Sequence, residues 1–346
     1  MGGLERELVT RAGIEFEAIQ AGPVVGVGPI KALSGLVKLV WGMGQAWRRV
    51  SQWQPDALFV TGGYTAIPVA LVCWLRRIPV LVYLPDIEPG SAVKVVARFA
   101  TKVAVTAAES QTYFPEVWGK KKVVVTGYPV RAEMAAASRR EAVTHFGLTE
   151  SRATIMVWGG SRGARSINLA LLAALDDLLT DTQIIHVSGE LDWPSVSERA
   201  QQLPESQRVH YHAFPYLHAD MGLAFAAADL VVSRAGASML GEYPLFGLGA
   251  ILVPYPYAWR YQKVNADYLA QRGAAVRLND EDLKMKLITT IRDLLETPNR
   301  LSAMRTAARA LAGPLAAQRL ANELLQLMQV GAVSPTSTAN TPGGRP

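Results

Sequence analysis

The sequence predicts an α/β protein made of two doubly wound, parallel-sheet domains that face each other across a cleft. Three observations lead there. Short β-branched runs alternate with longer helical segments almost from end to end, the pattern of parallel α/β layering. The runs are apolar on both faces, so each needs helices covering it from both sides. The chain has 346 residues, of which 50% are apolar and 18% charged, enough material for two cores.

The first domain is expected over residues 1–132, with strands at 14–19, 57–61, 80–84, 103–106 and 123–126. The boundary falls after Pro129, Val130 and Arg131, because 133–149 is polar and helical with no strand pattern and reads as a linker. The second domain, 150–300, carries strands at 154–158, 183–187, 209–213, 230–233, 250–253 and 275–278. Residues 301–330 are Ala/Leu-rich helix, and 331–346 form a Gly/Pro/Ser/Thr tail expected to be disordered. No repeat of 20–50 residues stands out. The halves share one theme, a strand running into glycines and then a helix.

Composition narrows the class. A net charge of +6 suits anionic partners such as phosphates or anionic lipid, without the dense Lys/Arg clustering of a nucleic-acid binder. The lone cysteine, Cys73, excludes an internal disulfide framework and a multi-cysteine metal site, and its apolar surroundings make it a core residue. Residues 1–19 carry four acidic side chains and no apolar run, unlike a secretory signal. The most apolar stretch, 66–84, is interrupted by Arg76 and Arg77 and falls short of the roughly 18–20 uncharged residues a bilayer span needs. The chain therefore reads as soluble or lying on a membrane. One segment suits the second option: Lys38, Trp41, Trp47, Arg48, Arg49 and Trp53 interleave with Leu36, Leu39 and Val40. Such a helix either contacts an anionic membrane surface through Trp41 and Trp47 or buries its tryptophans against the neighbouring sheet.

Two loops carry the candidate chemistry. In ATIMVWGGSRGARSIN a strand ends at Trp158, Gly159 and Gly160 turn, and a helix begins near Ala164. Small residues let backbone N–H groups approach an anion, and the helix start adds about half a positive charge. Ser161 offers a hydroxyl, and Arg162 and Arg165 add charge. A second instance, DLVVSRAGASMLGE, again runs from strand through a small-residue turn to a helix start. Glu242, in the first turns of that helix, either complements the helix dipole or accepts hydrogen bonds from a ribose diol. Two such loops in one domain favour a diphosphate ligand. No Gly-Lys-Ser/Thr follows the glycines and no G-x-G-x-x-G spacing occurs, so neither a P-loop nor an NAD enzyme fits.

These residues resemble the MurG family, the UDP-N-acetylglucosamine–N-acetylmuramyl-(pentapeptide) pyrophosphoryl-undecaprenol N-acetylglucosamine transferases. GGSRGARSIN (159–168), SRAGASMLGE (233–242) and LVPYPYAWRYQKVNA (252–266) look like its diagnostic segments, as do GLERELVTRAGI (3–14), GGYTAIPVAL (62–71) and GYPVR (127–131). They occur in the family's order across roughly residues 3–280. The resemblance implies a GT-B fold of two Rossmann-like domains and inverting transfer from UDP-N-acetylglucosamine to an undecaprenyl-diphosphate-linked muramyl peptide. It implies no cofactor, no metal site and a peripheral enzyme on the cytoplasmic face of the bacterial membrane. It places Arg131 and Ser161 at the donor diphosphate, Ala237, Ser238, Met239, Leu240, Gly241 and Glu242 along the nucleotide, with Glu242 on the ribose, and Gln262 at the sugar.

The chain departs from that family in places. The His-Glu-Gln-Asn segment before Pro-Gly is Tyr83, Leu84, Pro85 and Asp86 here, and of the side chains facing the cleft only Asp86 stays polar. The Asn of Gly-Asn-Pro-Val-Arg is Tyr128, and Pro215 stands where the family reads uracil with a backbone amide that proline lacks. The family opens with a strand, a Gly-rich loop containing a histidine, a helix and a second strand, whereas this chain begins at what would be the next helix. The first domain is thus expected to be incomplete, with 14–19 as the family's third strand, and no residue takes the role of catalytic base. Two other readings stand beside the leading one: a related transferase with another lipid or glycan acceptor, and a non-catalytic UDP-sugar-binding remnant. A sugar-nucleotide epimerase is disfavoured because no acid/base cluster is visible.

Overall fold

The structure is a computed structural model that describes residues 4–22, 28–114, 122–160, 163–257 and 260–332. The first sheet is parallel and four-stranded, in the order β1 (Leu58–Val60), β2 (Val80–Leu84), β3 (Lys102–Val105), β4 (Val123–Val125). The second holds β5 (Ala153–Trp158), β6 (Thr182–Val187), β7 (Tyr211–Phe214), β8 (Leu230–Ser233), β9 (Gly249–Leu252) and β10 (Ala275–Arg277). Its order, β10-β9-β8-β5-β6-β7, is the doubly wound one, and all its pairings are parallel. The topological switch point therefore lies between β5 and β8, where ligands of such sheets collect beyond the carboxyl ends of the strands.

The two-sided burial read from the runs is what layers these sheets. In β5, Met156 joins one core with Ile185, Val231 and Ala250, while Ile155 and Val157 join the other with Ile184, Leu230, Val232 and Ile251. Successive residues point to opposite faces, so each strand feeds both cores. In the first sheet Val80, Val82, Leu84, Val103 and Val105 face one core. Leu81, Tyr83 and Ala104 face the other, where Leu320 and Leu327 of the helix Ala316–Ala332 cover them. Lys102 pairs with Glu323 of that same helix. The end of the chain thus returns to roof the first sheet. Gly331 and Ala332 extend this helix, against the expectation of a tail starting at 331, and 333–346 lie outside the described residues.

One expected strand fails. Residues 14–19 carry no sheet pairing, and β1 has β2 as its partner on one side only among the described residues. The segment instead leads into a crossing of the helix Pro29–Trp53, where Gln20 N donates to Gln45 Oε1 at 2.9 Å. Gly42 makes the crossing possible, since a Cβ there would stand 2.0 Å from the Gln20 carbonyl oxygen. A strand needs an adjacent edge to satisfy its backbone, and here a cavity of about 630 Å³, lined by Phe16, Glu17, Ala18 and Ile19 and by Leu58, Phe59 and Val60, stands between the segment and the edge of β1. A smaller shift occurs at β7, which starts at Tyr211 because Val209 and His210 belong to the turn after the short helix Glu205–Arg208.

Candidate functional site

A cavity of about 430 Å³ opens at the switch point. The end of β5 supplies Trp158, Gly159 and Gly160, and the turn after β8 supplies Arg234, Gly236 and Ser238. The helix Met239–Phe246 adds Met239 and Glu242, and Arg131 and Gln262 reach in from the sides. Trp158 and Ser233 are register partners, so both loops leave the sheet at one level. Gly160 takes a φ of +84° and its carbonyl accepts from Gly163 N at 3.0 Å, just before the helix Arg165–Leu178.

Hydrogen bonds fix the floor. Trp158 Nε1 donates to the Tyr243 hydroxyl at 2.7 Å, and that hydroxyl donates to Ser233 Oγ at 2.7 Å. Both strand ends are thereby tied to one fully buried tyrosine. Arg234 clamps the loops together: its guanidinium donates to Ser166 Oγ at 2.8 Å and pairs with Asp280. Trp158, Tyr216, Met221 and Arg234 line the cavity without having been singled out in the sequence. Arg234 and Trp158 stood within quoted motifs and could have been found there; Tyr216 and Met221 carry no local signal.

Glu242 is the distinctive group. Its Oε2 is buried and without a hydrogen-bond partner, an arrangement that costs free energy unless a ligand donor meets it. Burial pushes its carboxyl above the ordinary carboxylate range, while the Ser238 hydroxyl and the Arg131 guanidinium pull it back. Gln262 Oε1 already accepts from Tyr255 N at 2.8 Å, which leaves its NH₂ as the donor end toward the cavity.

The structure brings together Arg131, Ser238, Met239, Glu242 and Gln262. Leu240 and Gly241 are buried behind the wall, with the Tyr128 ring over Gly241, and Ala237 is half-buried beside it. Ser161, with Arg162, lies outside the described residues. Pro215 does not line the cavity; its carbonyl accepts from Gly189 N at 3.1 Å, and Tyr216 presents the next side chain.

Asp86 belongs to a neighbouring cavity of about 380 Å³ at the ends of the first sheet, with Gly62, Gly63, Gly90 and Tyr261. Asn265 Nδ2 donates to Asp86 Oδ1 at 2.8 Å and to the Ala235 carbonyl at 3.2 Å, while its Oδ1 accepts from Ile87 N at 3.0 Å. Burial raises the Asp86 carboxyl above its usual range, and the Asn265 bond opposes this. Tyr261 lines this cavity and Gln262 the other, so the start of the helix Tyr261–Gln271 is the partition between them. A larger hollow, about 750 Å³, lies away from both on the outer face of the 29–53 helix and is an open apolar surface rather than a cleft at strand ends.

The comparisons agree with this geometry. The model of the glycosyltransferase family 28 N-terminal domain matches residues 1–105, and that of its C-terminal domain matches 154–320. A Roseiflexus sp. (strain RS-1) protein named UDP-N-acetylglucosamine–N-acetylmuramyl-(pentapeptide) pyrophosphoryl-undecaprenol N-acetylglucosamine transferase is 42% identical over 356 residues, covering 93% of this chain and 81% of that one. The chain belongs to the MurG family. A Moorella thermoacetica relative of the same name is 36% identical, covering 95% of this chain and 89% of its own. The crystal structure of Acinetobacter baumannii MurG superposes with a TM-score of 0.71 at 27% identity, covering 93% of this chain and 88% of that one. An S. aureus MnaA–UDP co-structure reaches a TM-score of 0.66 at 13% identity, covering 97% and 89%, and shares the fold alone. As a MurG-family chain the molecule has the GT-B fold and is a hexosyltransferase.

The departures from the MurG pattern are absorbed internally. The Tyr83 hydroxyl is hydrogen-bonded with Thr106 Oγ1 at 2.9 Å and donates to the Gly127 carbonyl at 3.3 Å. The Asp86 carboxylate is engaged by Asn265. The Tyr83 hydroxyl is thus spent within the first half of the chain, while Asp86 is tied through Asn265 to the second.

Proposed function

We propose that this chain moves N-acetylglucosamine from UDP-N-acetylglucosamine to an undecaprenyl-diphosphate-linked muramyl peptide, the step named for its 42%-identical relative. The observation that carries the reading is Glu242, which lines a cavity framed by two small-residue loops, Arg131 and Gln262 and keeps one carboxylate oxygen, Oε2, without a hydrogen-bond partner. In that cavity Glu242 accepts the ribose hydroxyls, the 159–163 turn and Arg131 meet the diphosphate, and the Gln262 amide holds the sugar.

The chemistry follows from charge. As the sugar leaves, negative charge grows on the UDP diphosphate. Arg131 on the cavity wall and the positive ends of the helix dipoles are in place to meet that charge before it develops. The acceptor hydroxyl enters from the 380 Å³ cavity on the far side of the helix start that carries Tyr261 and Gln262, opposite the departing diphosphate, and the anomeric centre inverts. The chain works at a membrane surface, on the cytoplasmic face where peptidoglycan synthesis takes place. On the 29–53 helix Leu33, Leu36, Val37, Val40 and Trp41 are 46–65% exposed in a stripe at helical spacing. Trp47 is half-used internally, with the Arg76 guanidinium 5.6 Å from its ring. No helix among the described residues is long and apolar enough to cross a membrane.

The internal use of Tyr83 and Asp86 favours one second reading, a related transferase with a different lipid acceptor. The deciding experiment offers UDP-N-acetylglucosamine and the lipid-linked muramyl peptide to the purified chain in anionic vesicles, with EDTA present. The expected product is the lipid-linked disaccharide. Transfer only to lipids without a muramyl peptide would replace the first reading by the second, UDP binding without any transfer would leave a binding remnant, and a requirement for added Mg²⁺ would overturn the metal-independent chemistry.

A further inference from the structure

Beneath Gly163 runs a chain of buried polar groups that the proposed chemistry does not use. Asn168, His186, Ser188, Asp192 and Tyr211 are each at most 7% exposed. His186 sits in β6 between Val157 of β5 and Ala213 of β7, in the middle of the sheet. Asn168 Oδ1 can only accept, so His186 Nε2, 3.0 Å away, carries the ring proton and donates. His186 Nδ1 is then the acceptor, and the Tyr211 hydroxyl donates to it at 2.6 Å. On its other side the Asn168 NH₂ donates to the Ser188 carbonyl at 2.9 Å and to Asp192 Oδ2 at 2.8 Å. Each of these bonds has one direction only.

The Ser188 carbonyl is the end of this chain that matters. Gly163 packs directly on it, so closely that a Cβ at 163 would stand 2.4 Å from the oxygen. Gly163 closes the turn begun at Gly160. Asn168 lies in the first turn of the 165–178 helix that follows, with its own N–H on the Ala164 carbonyl at 2.9 Å. It therefore anchors the helix start and the wall of the turn at once. An apolar residue of similar size would hold the core together, but it would leave the Ser188 carbonyl without a donor and free to shift.

We propose that Asn168 is a positioning residue for the donor diphosphate, acting through the Ser188 carbonyl on the 159–163 turn, with His186 and Tyr211 fixing the direction of its amide. The inference rests on the reading of that turn as the diphosphate seat. It predicts a selective defect. Binding to the phosphates depends on where the Gly160–Gly163 hydrogen bond holds the end of β5 against the helix start, whereas the nucleoside rests on Glu242 and the 233–242 segment.

The test compares UDP and uridine on the full chain carrying Asn168→Ala, by calorimetry and ligand-observed NMR. The dissociation constant for UDP is expected to rise about tenfold, the worth of one buried hydrogen-bond partner, with that for uridine unchanged within about twofold. Hydrogen exchange at the Gly160 and Gly163 amides should quicken in the unliganded variant. Equal losses for both ligands, or none for either, would overturn the proposal. If Asn168→Ala does not fold, Tyr211→Phe is read by the same ratio, with a rise of about threefold for UDP alone expected and a common shift overturning it. A wild-type chain that binds neither ligand defeats the functional reading instead, and unchanged exchange at Gly160 and Gly163 in the variant would then defeat the positioning role on its own.

Discussion

At the scale of single residues, the site is a set of side chains whose polar ends have been left for something else. Glu242 shows this best, because its buried Oε2 has no partner among the described residues. Glu242→Ala is expected to weaken UDP binding by about 1–3 kcal/mol, the value of hydrogen bonds to a charged acceptor. Calorimetry showing an unchanged dissociation constant would remove Glu242 from the ribose. Glu242 was legible in the sequence because it follows a small-residue turn at a helix start. Trp158 and Tyr243 were not. Their roles arise from a contact across 85 residues that no local pattern announces.

At the scale of elements, two features have consequences that can be measured. His186 in β6 is completely buried, and burial alone pulls its pKa down to about 3. An unfolded histidine takes up a proton near pH 6.5, and the folded one does so only near pH 3. Between those values the unfolded chain holds the extra proton, so stability falls as the pH is lowered, by about 1.4 kcal/mol per pH unit for this group. Burial also lowers the pKa values of His210 and His212, which add to the same acid slope. Urea denaturation of His186→Gln should show an acid slope smaller by about one proton than the parent; an identical slope would mean that His186 is not buried neutral. The 29–53 helix is the second feature. Its Leu36, Val37 and Trp41 stripe should carry the chain to anionic vesicles at low salt and release it as salt screens the flanking cations. The triple substitution Leu36→Ser, Val37→Ser, Trp41→Ser should abolish flotation, and flotation undiminished in that variant would assign the membrane contact elsewhere. Either fate for Trp41 and Trp47 was open from the sequence. Interleaved Trp and Arg look the same whether the helix faces lipid or a sheet.

At the scale of the whole molecule, Asn265 joins the two halves. It engages Asp86 and Ile87 at the end of β2 and Ala235 at the end of β8 with one side chain. Asn265→Ala should therefore slow transfer by about tenfold or more, since reacting groups held on separate halves lose their alignment. UDP affinity should stay within about twofold, because most of the residues placed around the donor follow β5 and β8. A variant with normal turnover would show that the clasp has no part in aligning the halves. The Lys102–Glu323 pair and the apolar seam of Leu320 and Leu327 on the first sheet bind the same halves from behind.

What the sequence determined by itself was every feature that local chemistry dictates. The two-sided apolar runs required covered parallel sheets, and the small-residue turns before helix starts pointed to a crevice at the strand ends. The order of the motifs placed both in one family. Tertiary structure alone decided what those elements touch. Asn265 meets Asp86 across 179 residues, and the last helix returns to the first sheet. Residues 14–19, with the composition of a strand, run instead into a crossing over Gly42 and form no sheet pairing. The physical reason is the same in each case. Periodicity reports that a face must be buried, and hydrogen-bonding capacity reports that a partner must exist. Which surface or atom answers is settled by the packing of segments far apart in the chain.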